Sequence, residues 1–585
     1  MYAGNITIVL HTHLPYVLHH GDWPHGTDWI LEAVAECYIP LLNVCNELLK
    51  EGIYPKLTFD ISPVLCEQLA HKEFPGLFRK YCQEKVNAAM RDEALFVKSR
   101  ESAHQIYLAK YWQKVYSDRL YEFERVYNSS ILGEMKRLQD IGAIEVMTCG
   151  ATHGYFPLLA DDASIELQIK TAVENYKKHF GRAPRGIWLP ECAYRPTYEW
   201  RTFIAVDHYS TKHLRPGVER LLAQYGLTHF ITDDHMLKNG QCIGLKDVDA
   251  NGKPFVRDWI FNRSPLSIYN VSSDKEIQYG TSIAFTRHRE LAMQVWSGDS
   301  GYPGDPHYLD FHKKHHNSAL RYWRVTDNKA DMMYKLLYIP DAIEKKVSLH
   351  ALHLTKCIEE TMLWNYKQTR EFGTICLPFD TELFGHWWFE GPKFIKQLLR
   401  GLYKSPYLNT VTTSEQIEAV KPRYVVALTE GGWGKDGNHE NWTNGATVWT
   451  WELIYKAELR FKTIMESLEL ESIKPTLRRV LTQALRELML LQSSDWQFLI
   501  STVSAKDYAE QRVTFHNSDF HRLCDIAEQF IKSKKIKKTD TFYVEETEIR
   551  NAIFPELQLE WWNTKIYPLQ KKTETIEIES DLSQE

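Results

Sequence analysis

The sequence predicts an α/β fold built on a parallel sheet closed into a barrel, and three observations predict it. Seven short apolar runs recur, at residues 6–10, 57–61, 144–147, 186–189, 229–232, 282–285 and 374–379. Helical patterns separate several of them, and strand–helix alternation is how a chain makes parallel strands. Polar side chains follow the runs directly: His11 and His13, Ser62, His153, Glu191, Asp233 and Asp234, Arg287 and His288, and Asp380. Such residues gathered after strands mark a barrel with its site at the strand C-termini.

The stretches between the runs are read in chain order. Residues 72–139 are charged and lack strand patterns, which predicts a helical insertion. Ser164 is placed to cap a helix with Ile165, Ile169, Ala172, Val173 and Tyr176 on one face, and Gly181 to end it. Residues 234–262 are polar, contain Gly240 and Gly252 and show no periodicity, so they read as a long loop. A second helical region is expected from 421 to 570. Its clearest helix, about 475–492, puts Leu477, Val480, Leu481, Ala484, Leu485, Leu488 and Leu491 on one face. Residues 571–585 are polar and acidic and are expected to be disordered. The barrel is thus assigned to residues 1–71 and 140–420.

At 585 residues the chain is too long for one core. A net charge of −6 offers no basic field for nucleic acid and suits a neutral polymer. No apolar run reaches the roughly 18–20 residues of a membrane span, and residues 6–10 do not make a signal peptide. The ten cysteines show no CxxC pair or regular spacing, so they read as reduced thiols of a cytoplasmic protein.

Two segments carry the chemistry. Gly186-Ile-Trp-Leu-Pro-Glu191 and Leu377-Pro-Phe-Asp380 each bring a carboxylate to the end of an apolar strand. An acid and a nucleophile or base, with tryptophans nearby for sugar rings, are the requirements of glycosidic-bond chemistry. Glu382, two positions beyond Asp380, competes for the same role. His11-Thr-His13 has two readings. Alternate imidazoles at a strand end resemble the start of a metal site, with His153, Asp60 or Asp233 completing it; equally, they bind sugar hydroxyls or hold the carboxylates. Of the tryptophans, Trp188 reads as core. Trp23, Trp29, Trp296, Trp387, Trp388, Trp433, Trp442, Trp449 and Trp451 form a candidate sugar-stacking set, several of them in glycine-rich polar contexts. Cys192, beside Glu191, reads as a packing thiol.

At these residues the chain resembles glycoside hydrolase family 57, in its glycogen (1,4-α-glucan) branching enzyme group. The resemblance runs through His11-Thr-His-Leu-Pro15 with Trp23 and Trp29, residues 150–157 around His153, residues 188–196, residues 380–391 and residues 433–452. Residues 295–305 and Ser493-Ser-Asp-Trp496 also match. It implies a distorted (β/α)7 barrel, a helical insertion, a helical C-terminal domain contributing to the glucan cleft, and no metal or organic cofactor. It also implies a retaining mechanism, with Glu191 as nucleophile and Asp380 as acid/base, about 5–5.5 Å apart. By the same matching His11, His13 and His153 surround the scissile bond, and Trp23, Trp29, Trp296, Trp433, Trp442 and Asp495 bind the α-1,4-glucan. The chain departs from the family at one point: the group carries a shielding tyrosine on the loop after the nucleophile strand, whereas residues 234–267 contain none, with His235, Met236 and Trp259 as the bulky residues there.

The leading expectation is therefore a branching transferase. The alternatives are an α-amylase or 4-α-glucanotransferase on the same scaffold, a metal-dependent polysaccharide deacetylase or amidohydrolase using His11 and His13, and a non-catalytic glucan-binding protein.

Overall fold

The computed structural model describes residues 2–562 except 23, 207, 208, 276, 278, 279, 328 and 330. Trp23 and the 571–585 tail lie outside the described residues.

Seven strands form the barrel: β1 Gly4–Thr12, β2 Leu57–Ile61, β3 Ile144–Cys149, β4 Gly186–Trp188, β5 His229–Thr232, β6 Ser282–Thr286 and β7 Gly373–Asp380. Successive neighbours from β7 through β1 to β6 pair in parallel. The ring closes where Arg287, just past β6, bridges Cys376 of β7, with His288 N–H donating to the Cys376 carbonyl at 3.0 Å. All seven apolar runs are barrel strands. β4, three residues long, is the irregular member.

Period-two alternation sorts each strand into two faces. Val9, Met147, Cys149, Trp188, Ile231, Phe285 and Cys376 pack together inside the barrel. Ile8, Leu10, Val146, Ile187, Phe230, Ala284, Ile375 and Leu377 face the surrounding helices. Continuing the inward alternation, two places beyond Val9 and four beyond Cys376, puts His11 and Asp380 on the barrel axis, paired in register with each other, and His11 is also paired with Asp60 of β2. Parallel strands buried on both faces are near-continuously apolar, which is why an ionisable residue within or just after one stands out.

The connections hold three corrections. The helix Asp162–Phe180 is capped by Asp161, whose carboxylate accepts from Ala163 N–H, while Ser164 lies buried in the first turn; Gly181 ends it at φ 72° as expected. Residues 234–262 are not one loop. They contain the helix Asp234–Lys238 and the strands Gln241–Val248 and Pro254–Arg257, a hairpin that docks on Tyr424–Ala427. The partner strand lies far along the chain, so local pattern could not reveal the ladder. That strand also corrects the boundary at 421, because Tyr424–Ala427 belongs to the sheet through Tyr269–Val271 and β6.

Helices Phe74–Lys98, Ala103–Tyr121 and Ile131–Asp140 occupy the region between β2 and β3. Beyond residue 447 the chain is helical, with Val448–Glu466, Pro475–Leu491, Asp495–Ser501, Lys506–Ser533 and Lys538–Arg550. The apolar face expected for Pro475–Leu491 is buried throughout. These helices dock on the strand-end face through buried polar bonds: Tyr455 OH to Leu158 O at 2.8 Å, Ala160 N–H to Glu458 at 3.0 Å, and Ser494 N–H to His153 O at 3.0 Å.

Gly385 follows β7 in the turn that carries Asp380 and Glu382. Its φ is 120°, and a Cβ there would lie 1.9 Å from the Glu36 carbonyl oxygen. Gly385→Ala is expected to lower the thermal midpoint, backbone strain alone costing about 1–3 kcal/mol. An unchanged midpoint in a melting experiment would contradict this close approach.

Candidate active site

Glu191 is delivered by a strained turn. Pro190 ends β4, and Glu191 and Cys192 both adopt left-handed backbone, φ 61° and 50°. Such conformations cost about 1–3 kcal/mol each for a side-chain-bearing residue and persist only where neighbours impose them. The loop 431–437 does so. Tyr194 N–H donates to Gly431 O at 2.9 Å, Gly431 N–H donates to Tyr194 O at 3.2 Å, and Trp433 N–H donates to Glu191 O at 3.0 Å. The Trp433 indole N–H also donates to Glu191 Oε2 at 2.8 Å. Gly432 must be glycine, because a Cβ would sit 2.7 Å from Tyr155 OH and 3.2 Å from Glu191 O.

The opposite oxygen of Glu191 accepts from Ser494 Oγ at 3.4 Å and lies 3.8 Å from His153 Nδ1. Asp380 ends β7 and is influenced by Glu191, Glu382 and Arg287. Among the described residues, no hydrogen-bond donor reaches the Asp380 carboxyl. Burial, then repulsion from Asp380 and Asp495, pushes Glu191 up to about 8, against the pull of the Trp433 indole. Burial and the Glu382 charge hold Asp380 well above the usual carboxylate range, opposed by Arg287. Two repelling carboxyls titrate as a pair. A buried anion needs donors, so the fixed indole favours charge on Glu191, and the bare Asp380 favours the proton.

The three histidines converge. His11 Nε2 and His153 Nε2 are 3.1 Å apart, and the His13 and His153 rings stack at 3.8 Å. His11 Nδ1 bonds Asp60, and His13 Nδ1 bonds Ser62 Oγ at 2.7 Å. His13 Nε2 lies 3.0 Å from Asp495, and His153 Nδ1 lies 2.8 Å from Ser494 Oγ. All six ring nitrogens therefore have protein partners. Burial, reinforced by mutual repulsion, holds His11 and His153 below the usual imidazole range. Burial would raise Asp495, yet the adjacent His13 draws it down to about 2. Of the third ligands considered for a metal, Asp60 is engaged by His11 and Asp233 by Arg287, with Nε at 3.1 Å from Oδ1, whereas His153 does converge, so that His13, His153 and Asp495 bring ligand atoms within 4.8 Å of one another. The contacts among the described residues are those of a hydrogen-bonded network.

The tryptophans divide. Trp188 is buried and stacks on His11 at 4.6 Å. Trp433 stands edge-on to Trp188 at 5.0 Å and to Trp296 at 5.5 Å, so the three wall the carboxylates. Trp29 stands apart on helix Thr27–Ala33, its ring 5.5 Å from His25. Trp442 is corrected: it is only 1% exposed, stacked on Tyr155 at 4.5 Å, and offers no face to a sugar. The loop folds back so that the ring fills the space between Tyr155 and Phe498 of helix Asp495–Ser501. Trp388 and Trp451 are likewise buried, whereas Trp387 is exposed.

Some site residues escaped the sequence reading, and others that it noted take a different place. Ser494 adjoins the noted Asp495 but carried no signal of its own. Glu382 is buried and bonded by Tyr38 OH, which removes it as a rival to Asp380; burial lifts it to about 7. Tyr155, whose OH bonds His439 Nδ1 at 2.9 Å, supports the Trp433 loop, and His439 in turn bonds Glu430 at 2.9 Å. Asp60 had a readable signal, a lone charge inside an apolar strand.

Paired carboxyls at the ends of two barrel strands, walled by indoles and held in a buried polar network, define a glycosidase-type enzyme site. The chain belongs to glycosyl hydrolase family 57, whose pattern it matches over residues 7–429. Residues 453–562 match the C-terminal region of 1,4-alpha-glucan branching enzymes. It is 38% identical to the 1,4-alpha-glucan branching enzyme of Thermococcus kodakarensis, over 94% of this chain and 77% of that one. The crystal structure of a branching enzyme from Pyrococcus horikoshii is similar at 36% identity and a TM-score of 0.85, covering 97% of this chain and 98% of that one. The α-amylase AmyC of Thermotoga maritima is similar at 28% identity and a TM-score of 0.76, covering 96% of this chain and all of that one.

Trp433→Phe removes the donor that favours the Glu191 anion. A hydrogen bond to a charged group contributes about 1.5–3 kcal/mol, so kcat is expected to fall roughly tenfold to a hundredfold. Loss of the donor raises the Glu191 pKa, and the acid limb of the pH profile of kcat/KM moves to higher pH. An acid limb that stays in place would separate Trp433 from the ionisation of Glu191.

Proposed function

We propose that this chain is a retaining 1,4-α-glucan branching enzyme, with Glu191 as nucleophile and Asp380 as acid/base. The observation that carries the assignment is the asymmetry of the pair. Glu191 is clamped with a permanent donor on its carboxylate, and Asp380 faces the same chamber with none. The names of the relatives, two branching enzymes among them, support the substrate and the transfer.

In the first step a Glu191 oxygen attacks the anomeric carbon of an α-1,4-linked glucose. The bond to O4 breaks, and the Asp380 proton passes to that oxygen as the chain leaves. The product is a glycosyl ester on Glu191. In the second step the 6-hydroxyl of an acceptor glucan gives its proton to Asp380 while its oxygen attacks the same carbon, releasing the Glu191 carboxylate. The indoles of Trp188, Trp296 and Trp433 exclude water around the ester, and the His11–His13–His153 network, bonded to Asp60, Ser62, Ser494 and Asp495, holds the wall of the chamber beside Glu191. All ten cysteines are free thiols, which fits a reducing, cytoplasmic setting.

One observation favours a second reading, hydrolysis in the manner of an α-amylase. The stretch 234–267 offers no tyrosine to cover the ester. His235 is bound to Gly437 O at 2.9 Å, Met236 is buried, and Trp259 is half exposed.

With amylose as substrate, proton NMR is expected to show new α-1,6 linkages in clear excess over new reducing ends. Reducing ends without branches would establish the hydrolytic reading. Asp380→Asn is expected to slow amylose turnover roughly a hundredfold to ten-thousandfold. It should spare formation of the ester from α-maltosyl fluoride, whose leaving group needs no proton. Glu191→Gln should abolish both reactions, and residual ester formation in that variant would remove Glu191 from the nucleophile role.

A further inference from the structure

A cavity of about 460 Å³ lies between the barrel and the C-terminal helices, and the reaction above does not use it. One side is residues 19–22 and 25, which follow β1; the other is helix Lys506–Ser533, with Arg550 contributing to the lining. Tyr16, Trp496 and Arg512 stand between it and the catalytic chamber. Arg512 donates to Tyr16 O at 2.5 Å and lies over the Trp496 ring at 4.8 Å, and Trp496 adjoins Asp495, the partner of His13.

The lining has the chemistry of a site for a neutral polyhydroxylated chain. Its guanidinium charges are matched internally. Arg550 pairs with Asp519, which also accepts from Tyr543 OH at 2.5 Å. Arg512 is engaged by Tyr16 O, Tyr508 OH at 2.9 Å and His516 Nε2 at 2.8 Å. Burial, with Arg512 and His516 nearby, keeps His20 well below the usual imidazole range, and burial lowers His25 as well. An anion would therefore find guanidinium groups already occupied and Asp22 and Asp519 facing it.

Polar side chains and an aromatic face are exposed in the lining, with Gln511 and Ser518 on helix Lys506–Ser533. Phe515 is 48% exposed in the lining, and Tyr508 lies 6.0 Å from His25, whose other neighbour is Trp29. Half-exposed aromatic faces among neutral hydrogen-bonding groups match the alternating C–H and O–H surface of a sugar. The volume falls in the usual range of about 300–1,000 Å³ for small-molecule sites.

We propose that this cavity is a second oligosaccharide-binding site, which takes a run of α-linked glucose units separately from the chain being cleaved. It rests on the α-glucan reading above and adds a place for a second chain segment on a transferase. Phe515 supplies the stacking face, and Gln511 and Ser518 meet the hydroxyls.

The test is hydrogen–deuterium exchange of the full-length Glu191→Gln protein, with and without maltoheptaose, followed at residues 19–25, 506–520 and 431–437. Maltoheptaose is expected to slow exchange in all three segments. Adding Ser518→Trp, on an exposed helical position, should erase the effect at 19–25 and 506–520 while that at 431–437 persists. Phe515→Ala, a milder change, should raise the half-saturating concentration at 506–520 about two- to tenfold. Protection confined to 431–437 overturns the second site and leaves the glucan reading standing. Protection in none of the three segments overturns both. Inorganic phosphate in place of the sugar is expected to protect none of them; protection at 506–520 by phosphate would overturn the neutral-ligand assignment.

Discussion

The site depends on how Glu191 is held. A three-residue strand stopped by Pro190 has no length left to aim a side chain, so the turn itself must do it, through two consecutive left-handed residues. That conformation is unfavourable on its own, and the offset comes from a loop about 240 positions later. Trp433 contributes twice there, its backbone N–H to the Glu191 carbonyl and its indole to the carboxylate. One residue thus fixes both the backbone and the charge of the group at the centre of the chemistry. The Tyr155–His439–Glu430 chain stiffens the loop from behind.

This arrangement ties the barrel to the helices that follow it. The clamping loop runs between the strand Tyr424–Ala427, which belongs to the sheet, and the helix Val448–Glu466. Ser494 and Asp495, at the start of another C-terminal helix, reach Glu191, His153 and His13. The chamber is complete only when both parts are docked. Its floor is then a set of acids, Asp60 and Glu382 buried, Asp380 and Glu191 partly exposed, all raised by desolvation. An unsatisfied charge removed from water is costly, and the protein distributes donors unevenly over this set: Glu191 has the Trp433 indole and Asp380 has none among the described residues.

Much of the barrel was legible because its strands are buried on both faces. All seven apolar runs became strands, and the inward alternation put His11 and Asp380 at one level. Helix Pro475–Leu491 was readable for the same reason, since a long amphipathic stripe has a single burial solution. The hairpin over 241–257 was not, because its alternation is weak and its partner strand lies at 424–427. Trp442 was misjudged on a sound local rule: glycine-rich polar segments seldom build a core, but this one folds over Tyr155 and Phe498, which no neighbouring residue announces.

By itself the amino-acid sequence determined which groups are available and roughly where on the barrel they sit: two carboxylates and three histidines after apolar strands, with tryptophans in the loops. Period-two burial and strand-end placement are local properties, so they can be read from a one-dimensional string. Tertiary structure alone decided what each group is. The Trp433 indole put a donor on the Glu191 carboxylate, no donor among the described residues reached Asp380, and Tyr38 engaged Glu382. It also decided that Asp495 and Ser494, from the far end of the chain, complete the chamber. Those outcomes depend on distances of about 3 Å between residues hundreds of positions apart, and burial then converts such contacts into charge states.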